Sequence, residues 1–463
     1  MNRNQPTPSI FESAILYNMN RTASQESNNH AMDNYNRCWP HNQSRLTTYQ
    51  HTQMDRSVNT IETASGTQVG NNRLYTVIQA LDASIPPSID TTQIMREEHC
   101  KQIIYEYHLQ RSSYWFTRPP LDILLRQPKL NIRALYLGAR LFRALEGNMV
   151  SRYIDRIDKL EQELGCQLGS SPSLNSAAGW LTTQICLAYF KFVAIGSCSG
   201  YLTLQKLLPV FLCLVAADSS LHIEYSGGLV TSFPRTLGAP QYELQWFVMY
   251  DAIASLLLGT PPLAEYGYNG ECDPASHSLE WAHGIPVTFI EIVSQVSSWR
   301  AGSRVPPLDD WRKLEMRVLG WRSQLKAEGK ASDNLTVKLA IQEGWKYVTL
   351  IYIYMGMCGV SSHDERIQAS IRQIIQLGEA LENLPIGVHT LAHCVIVGLA
   401  AKYEKHRSIV HKKILSFKGY QVWLFRGSEF AQVLEYLWFG VGAGGAPVIW
   451  DDYIESRRAV VPI

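Results

Sequence analysis

The chain has 463 residues, 46% of them hydrophobic, with 42 Lys+Arg against 41 Asp+Glu and a formal net charge of +1. That is enough apolar material for one large core or two ordinary ones. The balanced charge argues against a body that grips nucleic acid along a basic stripe, and nine widely scattered cysteines argue against a disulfide framework.

Residues 1–90 are rich in Asn, Gln, Ser and Thr, with isolated apolar residues and no sustained period. Such a segment buries too little apolar surface to offset its ordering entropy, which predicts disorder broken only by short helices at 9–17 and 74–81. The opening MNRNQPTPSIFESAILYN lacks a continuous apolar h-region, so no signal peptide is expected. The sequons at Asn20, Asn42 and Asn334 then read as chance matches.

From Thr91 onward a helical period dominates. Val150, Ile154, Ile157, Leu160 and Leu164 share one face, and 176–195 and 200–217 read as buried helices parted by 196–200. The longest apolar run, 207–217, is too short for a bilayer and holds Pro209, so no membrane span is expected. A helix over 241–258 is stopped by Gly259, Pro261 and Pro262. Stripes follow at Phe289 to Trp299 and over 311–325. The stretch EGWKYVTLIYIYMGMCG, 343–359, is apolar on every side of the 3.6-residue period, and a helix of that kind is normally buried. It is the predicted centre of the fold. Ser362 and Glu365 have capping-box spacing before an amphipathic helix carrying Ile367, Ile371, Ile374 and Leu381. Helices over 387–402, 408–417, 428–439 and 449–457 complete the order. Only 224–235 and 418–425 suggest short extended pieces, and no βαβ alternation or fixed repeat is present. The expectation is an all-α, multi-helix domain over 91–463, preceded by the disordered segment 1–90.

Several constellations could carry chemistry. Gly440, Gly442 and Gly445 spell GxGxxG, but an aromatic helix precedes them and Pro447 follows, where a dinucleotide site needs a strand and then a helix. Gly196-Ser197-Cys198-Ser199-Gly200 resembles the nucleophile elbow of hydrolases of the dienelactone type, with Asp251 and His283 downstream. That elbow requires a parallel sheet, and a Gly-made helix break is the plainer account. His389 and His393 stand four apart beside Cys394, and Cys272, Asp273, His277 and His283 form a looser group. Neither has an anchoring C-x2-C pair, and Thr390 stands where a metalloprotease needs Glu, so core or surface histidines are expected and no metal or cofactor is assigned. Asp251 lies amid Phe247, Val248, Ala254 and Leu258, where an unpaired carboxylate would be costly. A buried partner such as Lys, Arg or Trp is expected for this structural polar candidate, and a catalytic role is the alternative. Trp180, Trp246, Trp299, Trp321, Trp345 and Trp438 fall at core positions without interleaved Lys or Arg, so no stacking platform for nucleic acid is indicated.

Three patches in succession resemble the regulatory domain of fungal zinc-cluster transcription factors. They are LQWFVMYDAIASLLLGTPPL (244–263), EGWKYVTLIYIYMGMCG with DERIQASIRQIIQL, and APVIWDDYIESRRAVVPI (446–463). The resemblance spans about Thr91 to Ile463. It implies a non-enzymatic, all-α regulator that acts in the nucleus through other transcription regulators or co-regulators, with homodimerisation and a small-molecule effector among its options. The six-cysteine zinc cluster with its C-x2-C-x6-C halves does not occur, Cys38 and Cys100 being the only cysteines before residue 166. Zinc and direct sequence-specific DNA binding therefore do not carry over, and neither do ligand contacts across GVHTLAHCVIVGLAAKYE (387–404). No Lys/Arg-rich cluster marks an import signal, which leaves a cytoplasmic location open. A helical small-molecule binder, or an enzyme using Cys198, is the alternative from another class.

Overall fold

The computed structural model describes residues 107, 114–116, 129–145, 150–167, 173–225, 228–273, 280–303, 305, 308–325, 332–381, 384–419 and 421–463. The polar segment 1–90, with its expected disorder and short helices, lies outside them. The described architecture is all-α, with one small sheet inserted.

The first four helices among the described residues are α1 (Lys129–Ala144), α2 (Ser151–Gln167), α3 (Leu174–Ala194) and α4 (Ser197–Ala216). The Ser173 hydroxyl caps α3 by accepting from the Ser176 amide at 3.2 Å. Lys191, buried within α3, is held by Asp158 at 2.8 Å and Glu161 at 2.5 Å, both on α2. The helix α4 runs through Pro209 for 20 residues. It is thus long and apolar enough to cross a membrane, contrary to the estimate from the shorter run. Its face Tyr201, Leu204, Leu207, Phe211 and Val215 is buried in the core.

The expected extended piece at 224–235 is a hairpin of β1 (His222–Tyr225) and β2 (Gly228–Ser232), followed by the short helix α5 (Phe233–Leu237). Pro234 ends the strand there, because its fixed φ and missing N–H suit a first helical turn. Next come α6 (Tyr242–Leu258) and β3 (Tyr266–Gly267), which pairs parallel to β2. The segment 421–425 packs Val422, Trp423, Leu424 and Phe425 into the core as irregular chain rather than as a strand.

The remaining elements are α7 (Glu280–His283), α8 (Val287–Arg300), α9 (Trp311–Gly320), α10 (Ser332–Gly356), α11 (Glu365–Glu379), a 3-10 turn at Pro385–Thr390, α12 (Leu391–Ala400), α13 (Glu404–Ser416), α14 (Gly427–Phe439), a second 3-10 turn at Ala443–Gly445 and α15 (Trp450–Val460). The helix α10 is the predicted central one. Ile341, Trp345, Val348, Ile351 and Ile353 are fully buried, and α8, α9, α11 and α12 all pack on it. Arg300 closes its far end: Nη1 donates to the Gly356 carbonyl at 3.1 Å, and Nη2 meets Asp451 at 2.5 Å, while the guanidinium stacks over Trp450. The cap of α11 differs from the spacing-based expectation. Asp364 accepts from the Arg366 amide at 2.9 Å, because Ser362 is committed elsewhere. Its amide donates to the Val448 carbonyl at 2.7 Å, and its hydroxyl accepts from the Val448 amide at 3.0 Å.

Buried apolar residues from Tyr114 to Val461 form one contiguous cluster. Trp345→Ala, which empties a site at 0% exposure in its centre, is expected to cost about 3–5 kcal/mol in urea unfolding. Phe439→Ala, at 83% exposure, is expected to change stability by less than about 0.5 kcal/mol. Comparable losses for the two variants would mean that α10 is not the structural centre.

Candidate functional site

Asp251 sits on α6 with its side chain 0% exposed. Its Oδ1 accepts from the Leu263 amide at 2.8 Å, and its Oδ2 accepts from the Ala264 amide at 3.4 Å and the Tyr266 hydroxyl at 2.8 Å. The carboxylate therefore staples the turn after α6 back onto the helix that precedes it. Gly259, at φ 59°, makes that turn possible, since a Cβ there would also lie 2.7 Å from Ile454 Cγ1. The expected buried partner exists, but it is a phenol and two amides rather than a base or Trp. Desolvation pushes the Asp251 carboxyl up to about 7, against the pull of these three donors.

The GxCxG stretch joins two helices, so the strand that an elbow requires is not there. Ser197 donates its amide (3.0 Å) and its hydroxyl (2.6 Å) to Glu429 Oε2, so a carboxylate from α14 holds the start of α4. Gly196, at φ 153°, is demanded by the same contact, because a Cβ would strike Glu429 Oε1. The Cys198 thiol is raised by burial and then by the nearby Glu429 charge, which is the reverse of nucleophile activation. The glycines of GxGxxG likewise serve the chain itself. The Gly442 carbonyl accepts from Arg407 Nη2 at 2.8 Å, and the Gly445 carbonyl lies 2.8 Å from His363 Nε2.

The histidines are pinned separately. His389 Nε2 meets the Tyr114 carbonyl at 2.7 Å, His393 Nε2 meets the Ile341 carbonyl at 3.1 Å, and His283 Nδ1 accepts from Trp423 Nε1 at 2.7 Å. Cys272 is buried, with its amide donating to Glu291 at 2.8 Å, and His277 lies outside the described residues. Among the described residues no group of three His, Cys, Asp or Glu could hold a metal ion. Glu291 itself is fully buried, bound by Arg317 at 2.9 and 3.0 Å, and ties α8 to α9.

What the sequence did not indicate is a cavity of about 480 Å³ between α10, α11, α12 and α13. Its walls carry Ile374, Leu381, Val388, Val397, Val410 and Phe417, with Thr390, His393, Cys394 and Lys413 as polar groups and Glu379 at the edge. Burial pushes the Cys394 thiol up to about 12 and His393 down to about 4, so both are neutral at pH 7. The His393 Nδ1 has no hydrogen-bond partner in good geometry, although the His389 carbonyl one turn earlier lies close. Lys413 Nζ makes one long contact, 3.4 Å, to the Leu381 carbonyl and stands 5.7 Å from the Phe417 ring. Among the described residues no carboxylate pairs with it. The signal that could have pointed here is the Thr390, His393 and Cys394 spacing, which lines a wall instead of binding a metal.

Two measurements follow from these environments. Between about pH 4 and 7 folded Asp251 keeps a proton that the unfolded chain has released, so this group makes stability fall as pH rises through the window. His393 acts oppositely: its unfolded form charges near 6.5 while the folded ring stays neutral to about 4, so stability is lost as pH falls. Asp251→Asn removes the first effect only. Its stability is expected to climb more steeply than wild type from about pH 4.5 to 6.5, with a loss of about 1–3 kcal/mol at neutral pH because an amide NH2 cannot accept. An unchanged slope would mean that Asp251 is ionised throughout. Separately, site-resolved alkylation by iodoacetamide at about pH 7.5 is expected to be slower at Cys198 than at a free cysteine peptide. Faster labelling would mark an activated thiol.

Residues 220–461, just over half of the chain, match the family model described as fungal specific transcription factor domain. Neither a curated protein nor a solved structure matches. The matched span contains α6 with its Asp251-stapled turn, the central helix α10, and α15 with its Arg300 tie. On that match this all-α chain belongs to the fungal-specific transcription factor domain family.

Proposed function

We propose that the chain is a transcription regulator of the fungal zinc-cluster type, represented by its regulatory domain, which works in the nucleus through other regulators or co-regulators. The observation that carries this reading is the family match over 220–461, which takes in α6, α10 and α15. The balanced charge supports action through protein partners, because affinity for DNA rests largely on cationic contacts to phosphate. The geometry around Cys198 and the separately pinned histidines gives no support to an enzyme. The cavity beside α10 supports a small-molecule effector as the input to such a regulator.

Fusion of the full chain to an unrelated DNA-binding domain, at a reporter carrying that domain's site, tests the reading. Reporter output is expected to change several-fold relative to the DNA-binding domain alone, and the Trp345→Ala fusion is expected to lose the change. An unaltered reporter with a folded, nuclear fusion protein would count against a regulatory role.

A further inference from the structure

We infer that the cavity between α10, α11, α12 and α13 binds a small apolar molecule carrying one anionic group, with the anion at Lys413 and the apolar body against Ile374, Val397, Val410 and Phe417. The inference rests on the reading of the cavity as an effector site and names the effector's chemical class.

Size and lining come first. About 480 Å³ lies within the range of sites that enclose a compact organic ligand, and the walls are mostly aliphatic with Phe417 at one side. Burying apolar ligand surface there supplies affinity in proportion to the area removed from water, less the costs of association. A peptide is a poor occupant, since its backbone amides would need partners that these side chains do not offer.

The charge on the guest follows from Lys413. Its ammonium has three donors to satisfy, yet it makes one 3.4 Å contact to the Leu381 carbonyl and faces the Phe417 ring. Among the described residues it has no carboxylate partner, whereas the buried Lys191 has two. Lys413 and Cys394 both line the space, on the packed neighbours α13 and α12. Lys412 also borders the space and offsets Glu379, the one acid on the rim, so the net charge facing a guest is positive. A carboxylate or similar group on the ligand would complete the coordination of Lys413 as a charge-assisted hydrogen bond. The other polar groups do not suit a metal guest: Cys394 stays protonated and His393 is a single imidazole whose Nε2 is already bound.

The test uses the full-length protein and two probes that differ only in charge, 4-phenylbutanoate and 4-phenylbutan-1-ol, titrated calorimetrically. The carboxylate is expected to bind about tenfold more tightly than the alcohol, the effect of one charge-assisted hydrogen bond. Lys413→Met is expected to bring the carboxylate down to the level of the alcohol and leave the alcohol unchanged, while Lys413→Arg keeps most of the preference. Because Lys413 is only half-buried, both variants should match wild type in circular dichroism and thermal unfolding. Failure of both probes to bind, equal affinities in wild type, or a preference that survives Lys413→Met would each overturn the inference. A reporter response from the tethered chain alongside any of these failures would leave the regulator reading standing and remove only the proposed ligand class.

Discussion

The structure depends on one constraint, the all-round burial of the second half of α10, from Val348 to Gly356. A helix with no polar face cannot rest on a surface and must be surrounded, and α8, α9, α11 and α12 do so. Trp345 fills the middle and contacts Trp423 and His393, so the irregular segment near 423 and the helix α12 are drawn to the same point. The C-terminal end of α10 is then secured by polar devices. Arg300 takes the Gly356 carbonyl and Asp451, and Ser362 latches the next turn to Val448. The C-terminal helix is thereby bound to the core through both its start and the strand-like approach to it.

Three carboxylates share one pattern: each accepts from a backbone amide of a distant turn or helix start. Asp251 holds the turn after α6, Glu429 holds the start of α4, and Glu291 holds the 272 amide together with Arg317. An acceptor with several donors in a dry site stabilises a backbone conformation strongly, because every donor would otherwise be buried without a partner. The thiol of Cys198, the best-placed nucleophile by spacing, is raised by burial and then by the neighbouring Glu429 charge.

Much of the fold was legible because it is written in local periodicity. The apolar circumference of 343–359 identified the central helix, and the Gly259-x-Pro-Pro sequence fixed the end of α6 to the residue. The family was legible on other grounds, the resemblance of three successive patches to its known members, and the match over 220–461 takes in most of all three. What was not legible depends on residues far apart in sequence. Glu429 reaches Ser197 across 232 positions, and no pattern near the glycines announces a carboxylate there. The partner of Asp251 was misjudged because Tyr266 follows an irregular turn whose path the α6 sequence does not specify. The capping box failed when Ser362 found a tertiary partner in Val448, which outcompeted a local bond.

The cavity is the extreme case of that limit. A void is a mismatch of side-chain volumes across four helices, and it has no sequence period of its own. Ile374 and Val410 look like ordinary core positions, and Lys413 looks like a solvated charge on an amphipathic helix. Only their meeting around unfilled space gives the lysine a different environment from its neighbours. One wall of that space, Ala340 and Gly344, belongs to α10, the helix whose burial organises everything else. A guest there would pack directly on α10, which α8, α9, α11 and α12 also contact. The turn of Asp251 offers no such opening, since its two oxygens already accept from the Leu263 and Ala264 amides and the Tyr266 hydroxyl.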